Sequence, residues 1–442
     1  MEYKISKYTY QFISSKNEYL LYCSLSNSFF KLTPELYEFM KLCKENSTLI
    51  NEIDHELLVL LKENKIVVSE DEDHDFLLKH QFEEDQTTYS SSSLGLVIVP
   101  TMACNFNCPY CFEIGKKAKK MNNGVIENLM SFIKKHKEAK KLDITWYGGE
   151  PLLAFDVIQK ILNQIKLEIS VPLNRHSIIT NGFYFSQEVI NFFKEHPLDA
   201  IQITLDGNKK RHDTIRKQKN TGEGSFDRLI DNMDNIVKEL TNTKLSVRIN
   251  IEKENIQDYF DLQAELSTRW KGYNVTIYPG FLRIDNEGGT ALACNAIDRW
   301  EAHELYFELR KDKKLKEPIY PMLYSGRGCC ATVINSYIIG VDGEIYKCWN
   351  DVSDESKIIG YINQENLTNP SLFYRYVVGS KWYHNDECID CFYLPICRGA
   401  CAYYRLRNQY ENGQYLLCQC MHKTPDMLNK CLEYWYDNQM NK

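Results

Sequence analysis

The sequence lacks three features that would direct it to a membrane, to secretion or to nucleic acid. No run of about 18 consecutive apolar residues is present, so we expect no membrane-spanning helix. The N-terminus, MEYKISKYTYQF, lacks the basic segment followed by an apolar one that is typical of a signal peptide. Lys and Arg number 53 against 60 Asp and Glu, and this net charge of −7 argues against nucleic-acid binding. These absences predict a cytoplasmic protein.

Cysteine, in contrast, is abundant, and its distribution is uneven. The chain has 442 residues, which is enough for two or three domains, and 16 of them are cysteines. Three cysteines lie at 104–111, and ten lie between Cys329 and Cys431. Disulfides are rare in the cytosol. Clustered cysteines in such a protein therefore indicate metal or iron–sulfur sites.

The first cysteine group lies in the run CNFNCPYC, as Cys104, Cys108 and Cys111. Three thiolates at this spacing can hold three irons of a [4Fe–4S] cluster and leave the fourth iron open, whereas four-cysteine sites are closed. The triad follows the apolar run Leu94–Val99, which predicts a strand that ends in a loop. A structural zinc site is the alternative, although zinc usually needs a fourth ligand and favours CxxC pairs.

Strands and helices alternate from Leu94 to about Pro279. The predicted strands are Leu94–Val99, Leu142–Trp146, Ser177–Thr180, Ala200–Leu205, Leu245–Ile251 and Val275–Tyr278. The predicted helices between them are Gly124–Lys137, Ala154–Glu168, Ser186–Lys194, Ser225–Leu240 and Ile256–Ser267. Six such alternations predict an α/β fold with a parallel sheet and right-handed crossovers. Loops that follow the strands of such a fold are the usual place for catalytic groups.

Short polar motifs follow the ends of several of these strands. YGGEP lies at 147–151, TNG at 180–182, TLDG at 204–207 and HDxxR at 212–216. A glycine pair lets the backbone approach a neighbouring group closely, and the glutamate offers a carboxylate acceptor. Ordinary turn and cap chemistry is the alternative explanation for each motif taken alone.

The triad, with Tyr110 as the aromatic residue before its last cysteine, and the GGEP motif resemble the signature of the radical S-adenosylmethionine (SAM) enzymes. The resemblance implies a partial (β/α)6 barrel over residues 94–295 and a [4Fe–4S] cluster whose open iron chelates SAM. It also implies that reductive cleavage of SAM gives a 5′-deoxyadenosyl radical, which abstracts hydrogen from substrate. The SAM-binding residues that it implies are Tyr110, Gly148, Gly149, Glu150, Asn181, Thr204 and Arg216, with Arg248 and Asn250 as further candidates.

The second cysteine group has a spacing of its own. Cys330 precedes Gly343 and Cys348, and a run CxxCx5Cx3C begins at Cys388. This order resembles the SPASM domain of radical SAM enzymes that modify peptides and proteins, here over residues 329–442, and implies two auxiliary [4Fe–4S] clusters. The ligands that it implies are Cys330, Cys348 and Cys401 for the first cluster, and Cys388, Cys391, Cys397 and either Cys418 or Cys420 for the second.

Two points about these auxiliary sites stay open in the sequence. A fourth ligand for the first cluster is not evident, and Cys329 and Cys294 are the candidates. An open first cluster could instead bind a substrate thiolate. A zinc-ribbon-like domain is the alternative to iron–sulfur clusters, because CxxC pairs also suit zinc.

Residues 1–70 predict a small domain with the order hairpin, helix, helix, strand. Thr33-Pro34-Glu35 begins the first helix with a cap residue, a proline at the first position and an acid in the first turn. The order resembles the winged-helix-like element with which ribosomal-peptide-modifying enzymes bind a leader peptide as an added strand. A packing domain is the alternative. We expect residues 71–93 to be a solvated linker and 296–328 to be a bridging helix region.

The combined resemblance implies a maturase of a ribosomally made precursor peptide, forming a thioether or carbon–carbon crosslink. The implied partners are the precursor, bound by its leader, and a reductant such as flavodoxin or ferredoxin. An anaerobic sulfatase-maturating enzyme is the alternative, but Trp349 stands where that family has its catalytic Asp, and Asp351 is a weak substitute. A non-catalytic iron–sulfur electron carrier is the alternative from another class.

Overall fold

The computed structural model describes residues 2–111, 118–252, 254–282, 299–312, 328–397, 399–415, 417–418 and 425–440. The chain folds into two compact units, and each contains more than one segment of sequence. The first unit is formed by Met1–Tyr89, Trp300–Thr332 and Arg375–Lys442, and the second by Ser90–Arg299 and Val333–Tyr374. The N-terminal and C-terminal segments therefore share one unit, a grouping different from the domain boundaries expected from the sequence.

The N-terminal segment of the first unit has two small antiparallel sheets and three helices. The strands are β1 (Tyr3–Ile5), β2 (Thr9–Ile13), β3 (Tyr19–Cys23), β4 (Ser28–Leu32) and β5 (Val67–Ser69). The helices are α1 (Pro34–Glu45), α2 (His55–Glu63) and α3 (Glu72–Thr88). Strands β2, β3 and β4 form a sheet in that order, and β1 pairs with β5. The predicted hairpin is thus present as β3 and β4, but it belongs to a larger sheet arrangement.

Helix α1 begins as the sequence predicts. The Thr33 side chain accepts a hydrogen bond from the backbone N–H of Leu36, and Pro34 and Glu35 follow in the first turn. This arrangement satisfies one of the backbone donors that a helix start leaves unpaired. Tyr37, Met40 and Cys43 then share the buried face of the helix, where they pack in the core of the N-terminal segment.

The segment expected to be a solvated linker contains helix α3 instead. Three acidic residues in its first turn are favourable at the positive end of the helix dipole. Tertiary contacts fix it: the Asp73 carboxylate accepts hydrogen bonds from the Ser6 hydroxyl at 2.6 Å and from the Lys7 backbone N–H at 3.0 Å. The Phe76 ring packs edge-on against Tyr8. The composition of this segment predicted a solvated linker, because the residues that hold the helix in place are far away in the sequence.

The second unit is built on a parallel sheet of six strands, as the α/β prediction requires. They are β6 (Ser93–Ile98), β7 (Lys141–Trp146), β8 (Leu173–Thr180), β9 (Ala200–Leu205), β10 (Lys244–Ile251) and β11 (Val275–Phe281). Each strand is paired in parallel with the next one along the chain. Side chains on one face of the strands are fully buried, including Ile144, Ile203 and Val247. The carboxyl ends of all six strands consequently meet at one edge.

Helices connect these strands and cover the sheet. They are α4 (Asn123–Lys135), α5 (Phe155–Glu168), α6 (Gln187–Glu195), α7 (Lys209–Ile215), α8 (Phe226–Glu239) and α9 (Ile256–Arg269). Helix α8 shows why they pack as they do: Leu229, Met233 and Ile236 lie three or four positions apart and are fully buried. The predicted alternation of strands and helices is confirmed.

Three strands from the C-terminal half extend the same sheet beyond β6. They are β12 (Ser336–Ile339), β13 (Glu344–Tyr346) and β14 (Gly360–Tyr361). Strand β12 pairs in parallel with β6, and the other two follow in antiparallel order. The sheet therefore has nine strands in the order β11-β10-β9-β8-β7-β6-β12-β13-β14. The segment that carries Cys348 continues directly from this extension.

The remaining helices are short, except for α10 and the last helix. They are α10 (Arg299–Lys311), α11 (Pro370–Tyr374), α12 (Asp386–Ile389), α13 (Leu394–Cys397), α14 (Ala402–Tyr410) and α15 (Pro425–Met440). Short 3₁₀- or π-helical segments occur at Ser47–Glu52, Pro151–Ala154, Cys330–Thr332, Trp349–Asp351, Glu355–Lys357, Arg375–Gly379 and Trp382–His384. None of the helices in the described part of the chain combines the length and the apolar character needed to cross a bilayer.

Candidate functional site

The predicted cysteine triad lies in the loop that follows β6, at the carboxyl edge of the parallel sheet. The Cys108 side chain is buried, while Cys104 and Cys111 are half-buried. A segment after β9 holds one side of this loop: the Lys219 N–H donates to the Asn105 carbonyl at 2.7 Å, and the Asn107 N–H donates to the Lys217 carbonyl at 3.2 Å. The loop is therefore fixed in the fold rather than projecting into solvent.

The environment of the triad is unusual for free thiols. Burial raises the pKa of Cys104 to about 11 and that of Cys108 to about 12. Coordination to iron is what keeps such sulfurs as thiolates at neutral pH, since metal ligation deprotonates a thiol outright. No three acidic, His or Cys side chains of the described residues converge as they would on one metal ion. The ligands of a cubane cluster bind separate irons.

Gly148 and Gly149 contact the cysteine loop directly. A Cβ atom on Gly148 would lie 2.4 Å from the Thr101 carbonyl oxygen, and one on Gly149 would lie 2.4 Å from that of Ala103. Gly148 also has a φ of +124°, which side-chain-bearing residues rarely adopt. The Glu150 N–H then donates to the Ala103 carbonyl at 2.8 Å. The glycine pair thus allows the turn after β7 to pack against the backbone that leads into the triad.

The Glu150 side chain is fully buried and joins the turn after β7 to the end of β8. Its carboxylate accepts hydrogen bonds from the Thr180 hydroxyl at 2.7 Å, from the Asn181 N–H at 2.7 Å and from the Leu152 N–H at 3.0 Å. Burial raises the pKa of Glu150 to about 7, although these hydrogen bonds oppose the rise. The Asn181 amide in turn donates to Asn105 Oδ1 at 2.8 Å, next to Cys104.

Tyr110, between the second and third cysteines, lies in a buried polar network with Asp206, Arg216 and Asn250. Its hydroxyl donates to Asp206 Oδ2 at 2.6 Å and accepts from Arg216 Nη2 at 2.8 Å and Asn250 Nδ2 at 3.0 Å. Arg216 Nε donates to Asp206 Oδ2, and Asn250 Nδ2 also donates to Asp206 Oδ1 at 2.8 Å. The network links the cysteine loop to the ends of β9 and β10.

Charge inside this network is balanced. Burial alone would raise the pKa of Asp206, but the Arg216 guanidinium and the neighbouring donors hold it below its ordinary value. The same burial and the nearby carboxylate lead to a neutral Tyr110, whose pKa lies well above the ordinary value. Asp206 is therefore an anion paired with a buried guanidinium, an arrangement that is stable only while both partners are present.

The HDxxR motif supports this network from the next helix. The Asp206 N–H donates to His212 Nδ1 at 3.2 Å, so the proton of this neutral imidazole lies on Nε2, which contacts the Ser225 hydroxyl at 3.0 Å. Burial lowers the pKa of His212 to about 4. The Asp213 carboxylate accepts from the backbone N–H groups of Ser225 and Phe226 at 2.8 Å. These contacts fix the turn from which Arg216 projects.

Thr204 and Arg248 occupy paired positions on β9 and β10. Arg248 Nε is buried and has no hydrogen-bond partner among the described residues. The side chain runs beside Gly280, where a Cβ atom would lie 2.0 Å from Arg248 Nε. The structure thus brings together the predicted residues of the cysteine loop, the GGEP turn and β8. Asp206, Asn105 and Ser225 are contributors that the sequence did not single out, although Asp206 is part of the TLDG motif.

Cys348 lies in the second unit, directly after β13. The Asp351 N–H donates to its carbonyl at 3.1 Å, and the Asp351 side chain is 1% exposed. The Trp349 ring packs edge-on against Tyr147, with 4.7 Å between ring centroids. The residue after Cys348 therefore contacts the first residue of the YGGEP motif.

The second cysteine group lines a cavity of about 450 Å³ in the first unit. Four predicted ligands of one auxiliary cluster, Cys388, Cys391, Cys397 and Cys418, contribute to its wall. Burial raises the pKa of Cys397 to about 12. Residues of the N-terminal segment, including Thr9 and Tyr10 on β2, form another part of the wall. Four sulfurs around one cavity fit the coordination of a [4Fe–4S] cluster.

The other predicted auxiliary ligands are distributed differently. Cys330 and Cys401 belong to the first unit and Cys348 to the second, so their assignment to one cluster stays a prediction. Cys420 and Cys294 lie outside the described residues. The choice between Cys418 and Cys420 also stays open.

Comparisons with known proteins identify the class. Residues 98–264 match the family model of the Radical SAM superfamily. The match includes the triad, the GGEP turn and the buried network around Asp206. The chain therefore carries a radical SAM domain, the domain of enzymes whose chemistry uses SAM and a [4Fe–4S] cluster. A purely electron-carrying role does not agree with the presence of this domain.

Two curated proteins and one solved structure show which members the chain resembles. It is 26% identical to a cysteine-type anaerobic sulfatase-maturating enzyme of Clostridium novyi, over 72% of this chain and 90% of that protein. It is 22% identical to the radical SAM cyclopropyl synthase TigE of Paramaledivibacter caminithermalis, over 94% and 92% of the two chains. The structure of anSMEcpe with bound AdoMet and Kp18Cys peptide has a TM-score of 0.58 at 17% identity, covering 79% of this chain and 98% of that one.

Proposed function

We propose that the chain modifies a ribosomally synthesised precursor peptide and forms a thioether or a carbon–carbon crosslink in it. The radical SAM cofactors supply a 5′-deoxyadenosyl radical that abstracts hydrogen from the peptide. A cytoplasmic flavodoxin or ferredoxin supplies electrons, in a compartment where thiols stay reduced. TigE, which aligns along nearly the whole chain, is named a synthase rather than an electron carrier, and this supports a synthetic reaction.

The observation that carries the proposal is the joint core of the N-terminal sheet and the cysteine-rich segment. Phe12, Leu20 and Tyr22 of β2 and β3 pack with Tyr393 and Leu432 of the C-terminal segment in one hydrophobic cluster. The cavity lined by the auxiliary cysteines also includes residues of β2. A peptide bound to the N-terminal sheet would thus be held on the same unit as the auxiliary cluster.

Strand β4 offers the position for the leader. It is an edge of the three-stranded sheet, and no described strand pairs with its outer side. An exposed edge of this kind can accept an extended peptide as an additional strand. Side chains of the opposite edge strand, β2, contact the C-terminal segment: the Tyr10 ring stacks on Phe392, and its hydroxyl donates to Asn429 at 2.9 Å. We therefore assign leader binding to β4.

Tethering explains how one active site could process a precursor with few contacts to its core. A leader held on β4 keeps the remainder of the peptide at high local concentration near the enzyme. Weak contacts between the barrel and the reacting residues then suffice. Exposed apolar side chains on the adjoining helices, such as Leu42 and Leu60, provide additional contact area for the leader.

The chain's own residues suit the cofactors that we propose. Cys104, Cys108 and Cys111 would hold the cluster that binds SAM. The Glu150 carboxylate has about four acceptor positions and uses three of them within the protein, which leaves one for the SAM amino group. Arg216 uses Nε and Nη2 in the Asp206 network, so Nη1 is the nitrogen left for a carboxylate. Cys388, Cys391, Cys397 and Cys418 would hold the second auxiliary cluster.

Co-expression with the short open reading frames next to the gene tests the proposal. Mass spectrometry of each encoded peptide should show the loss of two hydrogen atoms in one of them, and replacing Cys104 by Ala should abolish this loss. Amide hydrogen exchange with the same peptide should protect residues 28–32 of β4. A modified peptide without protection of β4 would contradict the leader assignment, and no modified peptide would contradict the proposal.

A sulfatase-maturating activity is the second candidate, because the Clostridium novyi enzyme of that name aligns with 72% of this chain. Trp349 occupies the position after Cys348, where the resemblance predicts a catalytic Asp, and Asp351 is deeply buried. Incubation with a sulfatase-derived Cys peptide separates the two candidates. Formylglycine in that peptide would favour the second candidate, and its absence together with a modified precursor would favour the first.

A further inference from the structure

Arg405 is a buried cation with few partners. It lies on α14, is 1% exposed, and also contributes to the cavity lined by the auxiliary cysteines. No carboxylate of the described residues forms an ion pair with it, and its Nε has no hydrogen-bond partner there. Removing a guanidinium from water is unfavourable unless an anion compensates its charge. We therefore expect a negatively charged group next to the Arg405 guanidinium.

A neighbouring buried lysine in the same unit has its positive charge compensated by a carboxylate. Lys381 is 2% exposed, and its Nζ forms an ion pair with Glu84 at 2.8 Å and a hydrogen bond with the Thr88 hydroxyl. Glu84 also accepts from the Trp382 indole. Arg405 Nη1 instead donates to the Lys381 backbone carbonyl, a neutral acceptor, at 3.5 Å. Among the described residues, Lys381 thus has a carboxylate partner and Arg405 has none.

The remaining contact of Arg405 is with a predicted cluster ligand. Its Nη2 lies 3.4 Å from Cys388 Sγ, within hydrogen-bonding distance for sulfur. A neutral thiol would not balance a guanidinium, but a thiolate bound to an iron–sulfur cluster would, because four thiolates make the whole cluster anionic. The uncompensated charge of Arg405 and its contact with Cys388 Sγ therefore both indicate an anionic cluster bound at Cys388.

The backbone is shaped to keep the guanidinium at this place. The Arg405 N–H donates to the carbonyl of Cys401, the residue that precedes α14. Gly399 has a φ of +82°, and a Cβ atom there would lie 3.0 Å from Arg405 Nη2 and 2.9 Å from Trp382 Cβ. Gly399 therefore lies against the guanidinium, and glycine is needed for that approach.

We propose that Arg405 is a positioning residue that raises the reduction potential of the second auxiliary cluster through its contact with Cys388. This inference rests on the proposed function, which places that cluster in the cavity. Hydrogen bonds to cluster sulfurs and nearby charge are among the factors that set such potentials. Reduction makes the cluster more negative, so a fixed cation next to it stabilises the reduced form more than the oxidised form. Arg405 thus favours electron acceptance at this site.

The test compares Arg405→Gln and Arg405→Lys with a matched control, Arg407→Gln. Arg407 lies on the same helix but has a carboxylate partner, Glu411, at 3.2 Å. All variants carry alanine at Cys104, Cys108 and Cys111, so that the remaining iron–sulfur signals come from auxiliary clusters. The proteins are reconstituted without oxygen, iron is counted, and dithionite titrations are followed by electron paramagnetic resonance. The signal of the second cluster is the one lost in Cys391→Ala.

Arg405→Gln should lower the reduced-to-oxidised ratio of this signal at least tenfold at a fixed potential, a shift of about 59 mV for one electron. Arg405→Lys should give a smaller decrease, because it keeps the charge but not the planar donor geometry. Arg407→Gln should give none. If Arg405→Gln binds less iron, the lysine variant decides: a lowered potential supports the proposal, and an unchanged one overturns it.

Two further outcomes separate this inference from the proposed function. Full iron content with the same potential in Arg405→Gln and Arg407→Gln would overturn the role of Arg405 and leave the auxiliary cluster in place. No iron lost on Cys391→Ala would mean that the cavity holds no cluster, which would contradict the cluster assignment itself.

Discussion

Asp206 is the buried acid on which the support of the cysteine loop depends. Its side chain is 1% exposed and that of its partner Arg216 is 10% exposed, so the pair is screened from solvent. Asp206→Asn keeps the shape but removes the charge and leaves the guanidinium without compensation. Breaking a buried ion pair from one side costs about 3–5 kcal/mol. This equals roughly a hundredfold to a few thousandfold in the equilibrium constant for opening.

Hydrogen exchange is the suitable assay, because a chain with two units does not guarantee one global unfolding transition. Amides in the segments that the network joins, residues 104–111 and 205–216, should exchange faster in Asp206→Asn by that factor. Amides of β2, β3 and β4 in the other unit should not change. The loop that carries the triad should also release reconstituted iron faster to a chelator.

A surface ion pair provides the matched control. Asp234 pairs with Arg269 at 2.6 Å, but these side chains are 19% and 41% exposed. Such pairs contribute about 0–1 kcal/mol. Asp234→Asn should therefore change exchange only slightly and only near α8 and α9. Equal effects of Asp206→Asn and Asp234→Asn on residues 104–111 would refute the argument that the buried network holds the cysteine loop.

Two further predictions concern the same region. Gly149→Ala should prevent stable iron incorporation, because its Cβ would overlap the Ala103 carbonyl, whereas Gly124→Ala, with 3.4 Å to its nearest neighbour, should bind normal iron in the same assay. Burial lowers the pKa of His212 from 6.5 to about 4, so the unfolded chain binds a proton that the folded chain does not between these values. The contribution of neutral His212 to the free energy of unfolding is thus fully present above pH 6.5 and is lost as the pH falls toward 4. In His212→Asn, the decrease in stability over this pH range should be smaller by up to about 3 kcal/mol in exchange measurements. An unchanged pH dependence would contradict a neutral buried His212.

The strands of the barrel could be predicted because the apolar pattern that indicates each strand lies within the strand's own residues. Buried side chains alternate along β9, and the motifs that matter follow directly after the strands. The residues near the triad were found for the same reason, since Glu150 and Asn181 lie in the segments that follow β7 and β8. Strand starts were less accurate: β8 begins at Leu173 rather than Ser177, because pairing with β7 extends it through exposed residues.

The features that sequence reasoning missed depend on distant partners. Strand β12 pairs with β6 across more than two hundred positions, and helix α3 is fixed by contacts with residues 6–8. The pairing of Arg216, a predicted SAM-binding residue, with Asp206 was not foreseen, because Asp206 stood out in the sequence only as part of the TLDG motif. Arg405 had no sequence signal at all, because its significance comes from the carboxylate partner that the described residues do not provide.

The account depends most on an iron of the triad cluster that the protein leaves open for SAM. The direct measurement is 5′-deoxyadenosine formation by the anaerobically reconstituted, reduced protein, beside a variant with alanine at Cys104, Cys108 and Cys111. We predict formation of 5′-deoxyadenosine by the native chain and none by the variant. Iron-loaded native protein that leaves SAM intact, or a variant that still cleaves it, would contradict the account.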